Sequence, residues 1–351
     1  MCGIVGLFLK DKALEPKLGA LLSSMLITMT DRGPDSAGIA IYGNDNGNTA
    51  KITVQSADPA KDFDGLEYEL RRALDAPVAV TVKSTHAVIT LAKGKLDEGR
   101  IALTALRPYI RVMSSGDTVE IYKEVGLPKD VVSRFGVTSM SGTHGIGHTR
   151  MATESAVTTL GAHPFSTGSD QCLVHNGSLS NHNNLRRELR RIGMSFETEN
   201  DTEVAAAYLT AEMAKGKDLG AALESAVDDL DGFFTFVVGT KSGFGVVRDP
   251  IACKPAVMAE TDQYVAFGSE YRALVNLPGI EDARIWEPEP ATVYFWDHEM
   301  EADPDQGQTP ETVKNVHLIA GSFTEFLECL YESELPEGLP KGRVTYRAPG
   351  F

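Results

Sequence analysis

Apolar positions along this chain follow two rhythms, and the changes between them mark the elements. Residues 2–9 are almost wholly apolar, with Gly3 and Gly6 allowing close backbone approach, which predicts a buried strand. Over residues 17–29, Leu18, Leu21, Leu22, Met25, Leu26 and Met29 recur at helical spacing, so a helix should pack on that strand's sheet. Gly33-Pro34 signals a turn before a second strand at 37–42, and 44–48 is a run of loop residues. From about 49 to 141 the pattern changes to short strands (78–82, 87–91, 118–122) among helices at 66–74 and 128–135, read as an insertion or subdomain. A strand at 172–175 then runs into Asn176-Gly177 and a basic amphipathic helix at 181–193, with Leu185, Leu189 and Ile192 on one face. Asn200-Asp201-Thr202-Glu203 opens another helix, to about 215, for which Asp201 or Thr202 is a natural N-cap. After a helix at 219–230 come strands at 233–238, 244–247, 256–259, 264–267 and 292–295. A short apolar helix near 323–331 and a Pro/Gly-rich tail to Phe351 read as an arm. Helices paired between runs of strands predict an α+β fold, its sheets covered by helices on their outer faces. The main domain would span about 2–300, with the insertion inside it and a C-terminal extension at 301–351.

Composition narrows the class. A formal charge of −16 over 351 residues argues against nucleic acid or an anionic membrane as partner. No run approaches the ~18 apolar residues that span a bilayer. Lys10, Asp11 and Lys12 interrupt the opening apolar run before it could serve as a secretory core. Cys2, Cys172, Cys253 and Cys329 form no C-x-x-C pair, the pattern of neither a disulfide scaffold nor a zinc or iron–sulfur site, so a cytoplasmic location is expected. His144 and His148 lie in a glycine-rich, strand-like stretch, where four residues put them about 13 Å apart, too far to share an ion. His163 and His175 read as hydrogen-bonded structural residues, and no metal is expected.

Candidate chemistry begins at Cys2, which is either a small buried hydrophobe opening a strand or a nucleophile. Removal of Met1 is expected because the second residue is small. It would leave Cys2 with a free α-amine, a group that ordinarily titrates at about 7.7–8.0 and can take the thiol proton near neutral pH. Arg150, at the end of Gly147-His148-Thr149, is either a surface arginine or a bidentate clamp for a carboxylate. Asp201 is either a helix cap or an acceptor for an ammonium group. Asn176-Gly177 is either a turn or, through the Asn176 amide and the Gly177 N–H, an oxyanion hole. Together the functional alternatives describe one ligand, an α-amino acid with a side-chain amide, and glutamine fits.

Five ordered segments carry a resemblance: Cys2-Gly3-Ile4-Val5-Gly6, Arg32-Gly33-Pro34-Asp35-Ser36-Ala37-Gly38, Gly147-His148-Thr149-Arg150, His175-Asn176-Gly177 and Asp201-Thr202-Glu203. In this order, over most of the chain to about residue 270, they resemble the class II glutamine amidotransferases of the N-terminal-nucleophile hydrolase superfamily. The resemblance implies a four-layer αββα sandwich, Cys2 as nucleophile and Asn176 with Gly177 as the oxyanion hole. It also implies that Arg150 and Asp201 bind the glutamine carboxylate and amine, that Arg32 supports the loop near the nucleophile, and that Met151 and Thr153 line the pocket. Met151 stands where many relatives carry an aromatic residue, and the insertion and C-terminal extension are not part of the minimal family domain.

More narrowly, residues 119–125, 140–157 and 174–181 resemble stand-alone amidotransferase subunits of split, glutamate-synthase-like enzymes, among them N-methylglutamate synthase. The chain has no synthetase, flavin or iron–sulfur signature of its own. The resemblance therefore implies no cofactor in this chain, with FMN and an iron–sulfur cluster expected in separate partner subunits that use the released ammonia. Handling of methylamine or a γ-glutamyl amide such as γ-glutamylmethylamide is a variant of the same reading. Hydrolysis of unrelated amides and a catalytically silent, glutamine-binding or scaffold role are the alternatives from other classes.

Overall fold

A computed structural model describes residues 2–152, 156–298 and 316–318. Thr153 and nearly all of the C-terminal extension, including the helix expected near 323–331, lie outside the described residues. Two antiparallel sheets form the body. The first has the order Arg284–Trp286, Val257–Glu260, Tyr264–Gly268, Gly3–Leu9, His144–Arg150, Ser36–Tyr42, Val119–Val125. The second runs Val316–Leu318, Thr292–Asp297, Gly243–Arg248, Gly232–Gly239, Cys172–Leu179.

Side-chain alternation explains why the sheets stack. Along Gly3–Leu9, Ile4 and Phe8 enter a core shared with Val174, Val237, Phe244 and Val246 of the second sheet. The intervening Val5, Leu7 and Leu9 join a separate core with Leu22, Met25 and Leu26 of the helix Leu18–Thr28. A strand apolar at every position is thus one buried on both faces. Gly6 sets the spacing between the sheets, since a Cβ there would stand 2.7 Å from the Phe244 ring. In the second sheet the parity repeats. Cys172 and Val174 face the first sheet, while Leu173, Phe236 and Val238 face the helices Asp201–Ala214 and Leu219–Asp229. The result is helix, sheet, sheet, helix, the expected four-layer αββα sandwich. The helix Asp201–Ala214 is buried on most of its surface, and its run Ala205-Ala206-Ala207 is fully covered. Small side chains let it lie between the sheet and its neighbouring helices.

A third sheet, ordered Val78–Lys83, His86–Ala92, Thr49–Gln55, Arg111–Gly116, carries the helices Leu66–Leu74 and Leu96–Leu106. It has its own core, with Ile52, Leu70, Ile89 and Leu103. This unit closes at Gly116. The remainder of the stretch expected as an insertion, to residue 141, returns to the body: Val119–Val125 pairs with Ser36–Tyr42, and Val131, Val132 and Phe135 pack into the core under the helix Leu18–Thr28. Lengths and apolar runs alone do not distinguish a strand added to a distant sheet from one paired locally.

Candidate active site

Register brings three separate strand ends to one edge of the first sheet. Gly3 pairs with Thr149 and Ser36 with Arg150, so Cys2, Arg150 and the Arg32–Asp35 loop share that edge. The loop fits because Gly33 has no side chain: a Cβ there would lie 2.4 Å from the Thr149 carbonyl carbon and 2.5 Å from the Arg150 nitrogen. Asp35 fastens it, its N–H donating to the Arg150 carbonyl (3.1 Å) and its Oδ2 accepting from the Ala152 N–H (2.8 Å). Gly3 is required next to Cys2 for the same steric reason, with a Cβ position 2.8 Å from Thr149 Oγ1 and 2.9 Å from Met29 Cβ.

Cys2 is partly exposed and tethered through its backbone. Its carbonyl accepts hydrogen bonds from Arg32 Nε (2.9 Å) and Asn176 Nδ2 (3.3 Å). Arg32 is 8% exposed and is itself held by Glu270, Nη1 to Oε1 at 2.6 Å. The hydrogen bond from Arg32, aided by Arg272, holds the Glu270 carboxyl below its ordinary range despite partial burial. The Ile4 N–H donates to Ser269 Oγ (2.9 Å), which secures the strand one turn of pleat beyond the cysteine.

Asn176 and Gly177 come from the second sheet, paired in register with Thr235 and Phe234, and so lie within a strand rather than at a turn. Gly177 has φ +152°, and a Cβ there would fall 1.9 Å from the Phe233 carbonyl oxygen. Gly177→Ala is therefore expected to destabilise the protein by about 2–3 kcal/mol through backbone strain and overpacking. A thermal unfolding midpoint unchanged from the parent protein would refute this.

The helix Asp201–Ala214 is capped by Asn200, whose side chain accepts from the Thr202 N–H at 2.9 Å; neither Asp201 nor Thr202 fills the cap position expected from sequence. Asn200 takes it because its extended backbone precedes the first helical residue. Asp201 is then free to turn its carboxylate back to the Asn176-Gly177 strand, where Oδ2 accepts from the Leu179 N–H (3.0 Å). Burial pushes Asp201 up, but the His175 ring 3.7 Å away and the Leu179 N–H outweigh it and bring the carboxyl down to about 2. A depressed carboxyl stabilises the fold fully above its unfolded value of about 4, and that contribution disappears as pH falls toward 2. Asp201→Asn should flatten this limb, measured as the urea midpoint between pH 5 and 2.5; an unaltered slope would contradict the assignment.

Behind Asp201 lies a buried polar relay. Thr202 Oγ1 sits 2.7 Å from His163 Nε2 and 3.1 Å from His175 Nδ1. His148 Nε2 bonds the His175 carbonyl (3.1 Å), and the His148 and His163 rings stack at 4.1 Å. Burial pulls His148 down to about 3 and His163 well below its ordinary value, so both are neutral spacers. Among the described residues no group of three or more His, Cys, Asp or Glu is arranged to hold a metal.

Arg150 is 6% exposed, and Nη1 reaches the Ala156 carbonyl at 3.3 Å. Met151 is 37% exposed beside it. Of the residues singled out from sequence, Arg32 and Asn176 contact Cys2, Arg150 lies at the same end of the first sheet, and Asp201 bonds Leu179, two residues beyond Gly177; Thr153 is not among the described residues. Glu270 and Ser269 were not foreseen. Glu270 meets Arg32 across 238 positions, and no local pattern around it signals that.

A glutamine amidotransferase domain family matches residues 148–276. Over 302 residues the chain is 78% identical to the glutamine amidotransferase-like protein GlxB of Rhizobium meliloti (strain 1021), covering 86% of this chain and 100% of that protein. The chain belongs to the glutamine amidotransferase family. This amidotransferase is also 35% identical over 312 residues to a protein of Methanothermobacter thermautotrophicus whose provisional name is glutamine amidotransferase, covering 84% of this chain and 99% of that one. Its fold resembles the solved glutamine phosphoribosylpyrophosphate amidotransferase of B. subtilis, with TM-score 0.54 and 18% identity. That match covers 85% of this chain, which spans 48% of the larger solved one. The sandwich thus shares the fold of that solved amidotransferase, and the amidotransferase is an enzyme acting on a carboxamide.

Proposed function

We propose that the amidotransferase hydrolyses the side-chain amide of L-glutamine with Cys2 as nucleophile and supplies the ammonia to a separate subunit. The observation that carries this reading is the 3.3 Å approach of Asn176 Nδ2 to the Cys2 carbonyl, from a different sheet and 174 positions away. It sets an amide donor and the Gly177 backbone beside the residue that bears the thiol. In the proposed cycle the Cys2 α-amine, exposed by loss of Met1, takes the thiol proton. The thiolate attacks the glutamine Cδ, and the resulting oxyanion receives hydrogen bonds from Asn176 Nδ2 and the Gly177 N–H. The proton passes to the leaving nitrogen, ammonia departs, and water cleaves the thioester to give glutamate and regenerate the thiol. Arg150 faces the substrate carboxylate and Asp201 its ammonium, charges opposite to those of an α-amino acid. Arg32 holds the nucleophile through its carbonyl, and Met151 and Thr153 border the pocket.

The ammonia-consuming partner in this proposal is a flavin-containing, glutamate-synthase-like subunit, as implied by the resemblance of residues 119–125, 140–157 and 174–181. The C-terminal extension and the sheet at 49–116 are its proposed docking elements. The test is glutamate release by the full chain with its co-purifying partners, from L-glutamine and from γ-glutamylmethylamide in parallel. Preference for L-glutamine supports an ammonia donor, and preference for the methylamide supports an N-methylglutamate synthase. Turnover of neither, with Met1 shown absent, refutes the hydrolytic reading and leaves a scaffold role.

Asp201→Asn removes one charge-assisted contact to the substrate ammonium, worth about 1.5–3 kcal/mol. It should lower kcat/KM roughly 10–100-fold, mostly through KM. An unchanged KM would remove Asp201 from the binding site.

A further inference from the structure

One buried charge in the body has no part in the cycle above. Lys123 lies in the strand Val119–Val125 and is 4% exposed. Its ammonium spends all three donors on backbone carbonyls: Ala162 at 2.8 Å, Pro164 at 3.1 Å and Leu160 at 3.3 Å. It also stands 4.4 Å from the centre of the Phe165 ring. Burial brings its ordinary value down to about 8, against the attraction of Glu203 and Glu197 and with the repulsion of Arg150. A buried ammonium is a poor device for stability alone, because an apolar chain of similar volume stabilises a core as well or better.

What Lys123 holds is the segment returning from the Arg150 loop. Lys123 pairs with Gly38, and Gly38 with His148, so the three form a row across the first sheet. Gly38 is a notch in that row. A Cβ on it would stand 1.9 Å from the His163 carbonyl oxygen and 2.7 Å from Lys123 Cβ. The segment 160–164 crosses the sheet through this notch, with its carbonyls capped by Lys123 on one side and the His163 ring stacked on His148 at the other. Both ends of the segment lead to the proposed substrate clamp. At one end a Cβ on Gly161 would lie 3.2 Å from Arg150 Nη1, so the guanidinium rests against this backbone. At the other, His163 Nε2 meets Thr202 Oγ1 at 2.7 Å, immediately after Asp201.

We propose that Lys123 is a positioning residue for glutamine: by capping the 160–164 carbonyls over the Gly38 notch it sets the separation of Arg150 and Asp201. The inference rests on the assignment of Cys2, Arg150 and Asp201 made above. Lys123 touches neither substrate nor nucleophile, so its loss should weaken recognition of the α-amino acid group and leave the thiol itself reactive.

The test uses the full chain as Lys123→Met and Lys123→Gln, the second keeping an amide donor should the first fail to fold. Two reagents probe Cys2 by mass spectrometry: iodoacetamide, which has no α-amino acid group, and a diazo-ketone analogue of L-glutamine, which has one. The expected result is a rise of about tenfold or more in the half-saturating concentration of the analogue and in KM for glutamine, with iodoacetamide labelling within about twofold of the parent. Lys123→Gln should fall between Lys123→Met and the parent. Unchanged half-saturation in either folded variant overturns the proposal, as does an equal fall in both labelling rates with KM constant, the signature of a scaffold residue. A parent protein that the analogue does not label at Cys2 would overturn the active-site assignment and this inference with it.

Discussion

Replacing Cys2 by alanine is expected to abolish glutamate release from L-glutamine, with kcat falling by at least about a thousandfold. The reasoning is chemical. In the proposed cycle the sulfur forms the thioester; Cys172 cannot take its place, being fully buried with its thiol pushed up to about 12, and Cys253 is exposed in the stretch before the strand Val257–Glu260. The variant should fold normally, because Arg32 and Asn176 grip the residue through its backbone carbonyl, which alanine retains. Circular dichroism and the thermal midpoint should therefore match the parent while activity is lost. Substantial residual turnover in a homogeneous Cys2→Ala preparation would move the nucleophile elsewhere.

Asn176→Ala should lower kcat by about 100- to 1000-fold with little change in KM, the range for one oxyanion donor of roughly 3–4 kcal/mol. The split follows from timing: the donor faces charge that develops only after attack, so the ground-state complex scarcely senses its loss. Asn176 also donates to the Cys2 carbonyl, and the variant could in principle act by loosening the nucleophile. Iodoacetamide labelling of Cys2 separates these effects. A labelling rate near the parent's with kcat reduced points to the oxyanion, whereas parallel losses point to displacement of the thiol. A KM effect as large as the kcat effect would contradict both.

Much of the layered fold was legible because its signals are local. The helix at 17–29 shows its 3.6-residue period, and the apolar run at 2–9 predicts a buried strand. In the structure these become Leu18–Thr28 and Gly3–Leu9, with neighbouring residues divided between two cores. The boundary of the inserted unit was not legible. Val119–Val125 looks like any short strand, and only its pairing with Ser36–Tyr42 returns it to the main sheet. The cap at Asn200 was misread for a related reason: Asn200, Asp201 and Thr202 are all good capping residues, and the choice depends on which one keeps extended backbone.

Residue type and order suggested the candidate chemistry proposed for the site: a thiol in the second residue, a guanidinium, a carboxylate and an Asn-Gly pair. Their arrangement was decided by tertiary structure. Sheet stacking brings Asn176 to Cys2, the glycines at 33 and 38 open the close approaches, Glu270 holds the distant Arg32 guanidinium, and Lys123 holds the backbone of 160–164. The physical reason is range. Periodicity and capping arise from neighbours a few residues apart and are written into the local pattern, whereas hydrogen bonds across tens to hundreds of positions exist only once hydrophobic burial has brought the layers together.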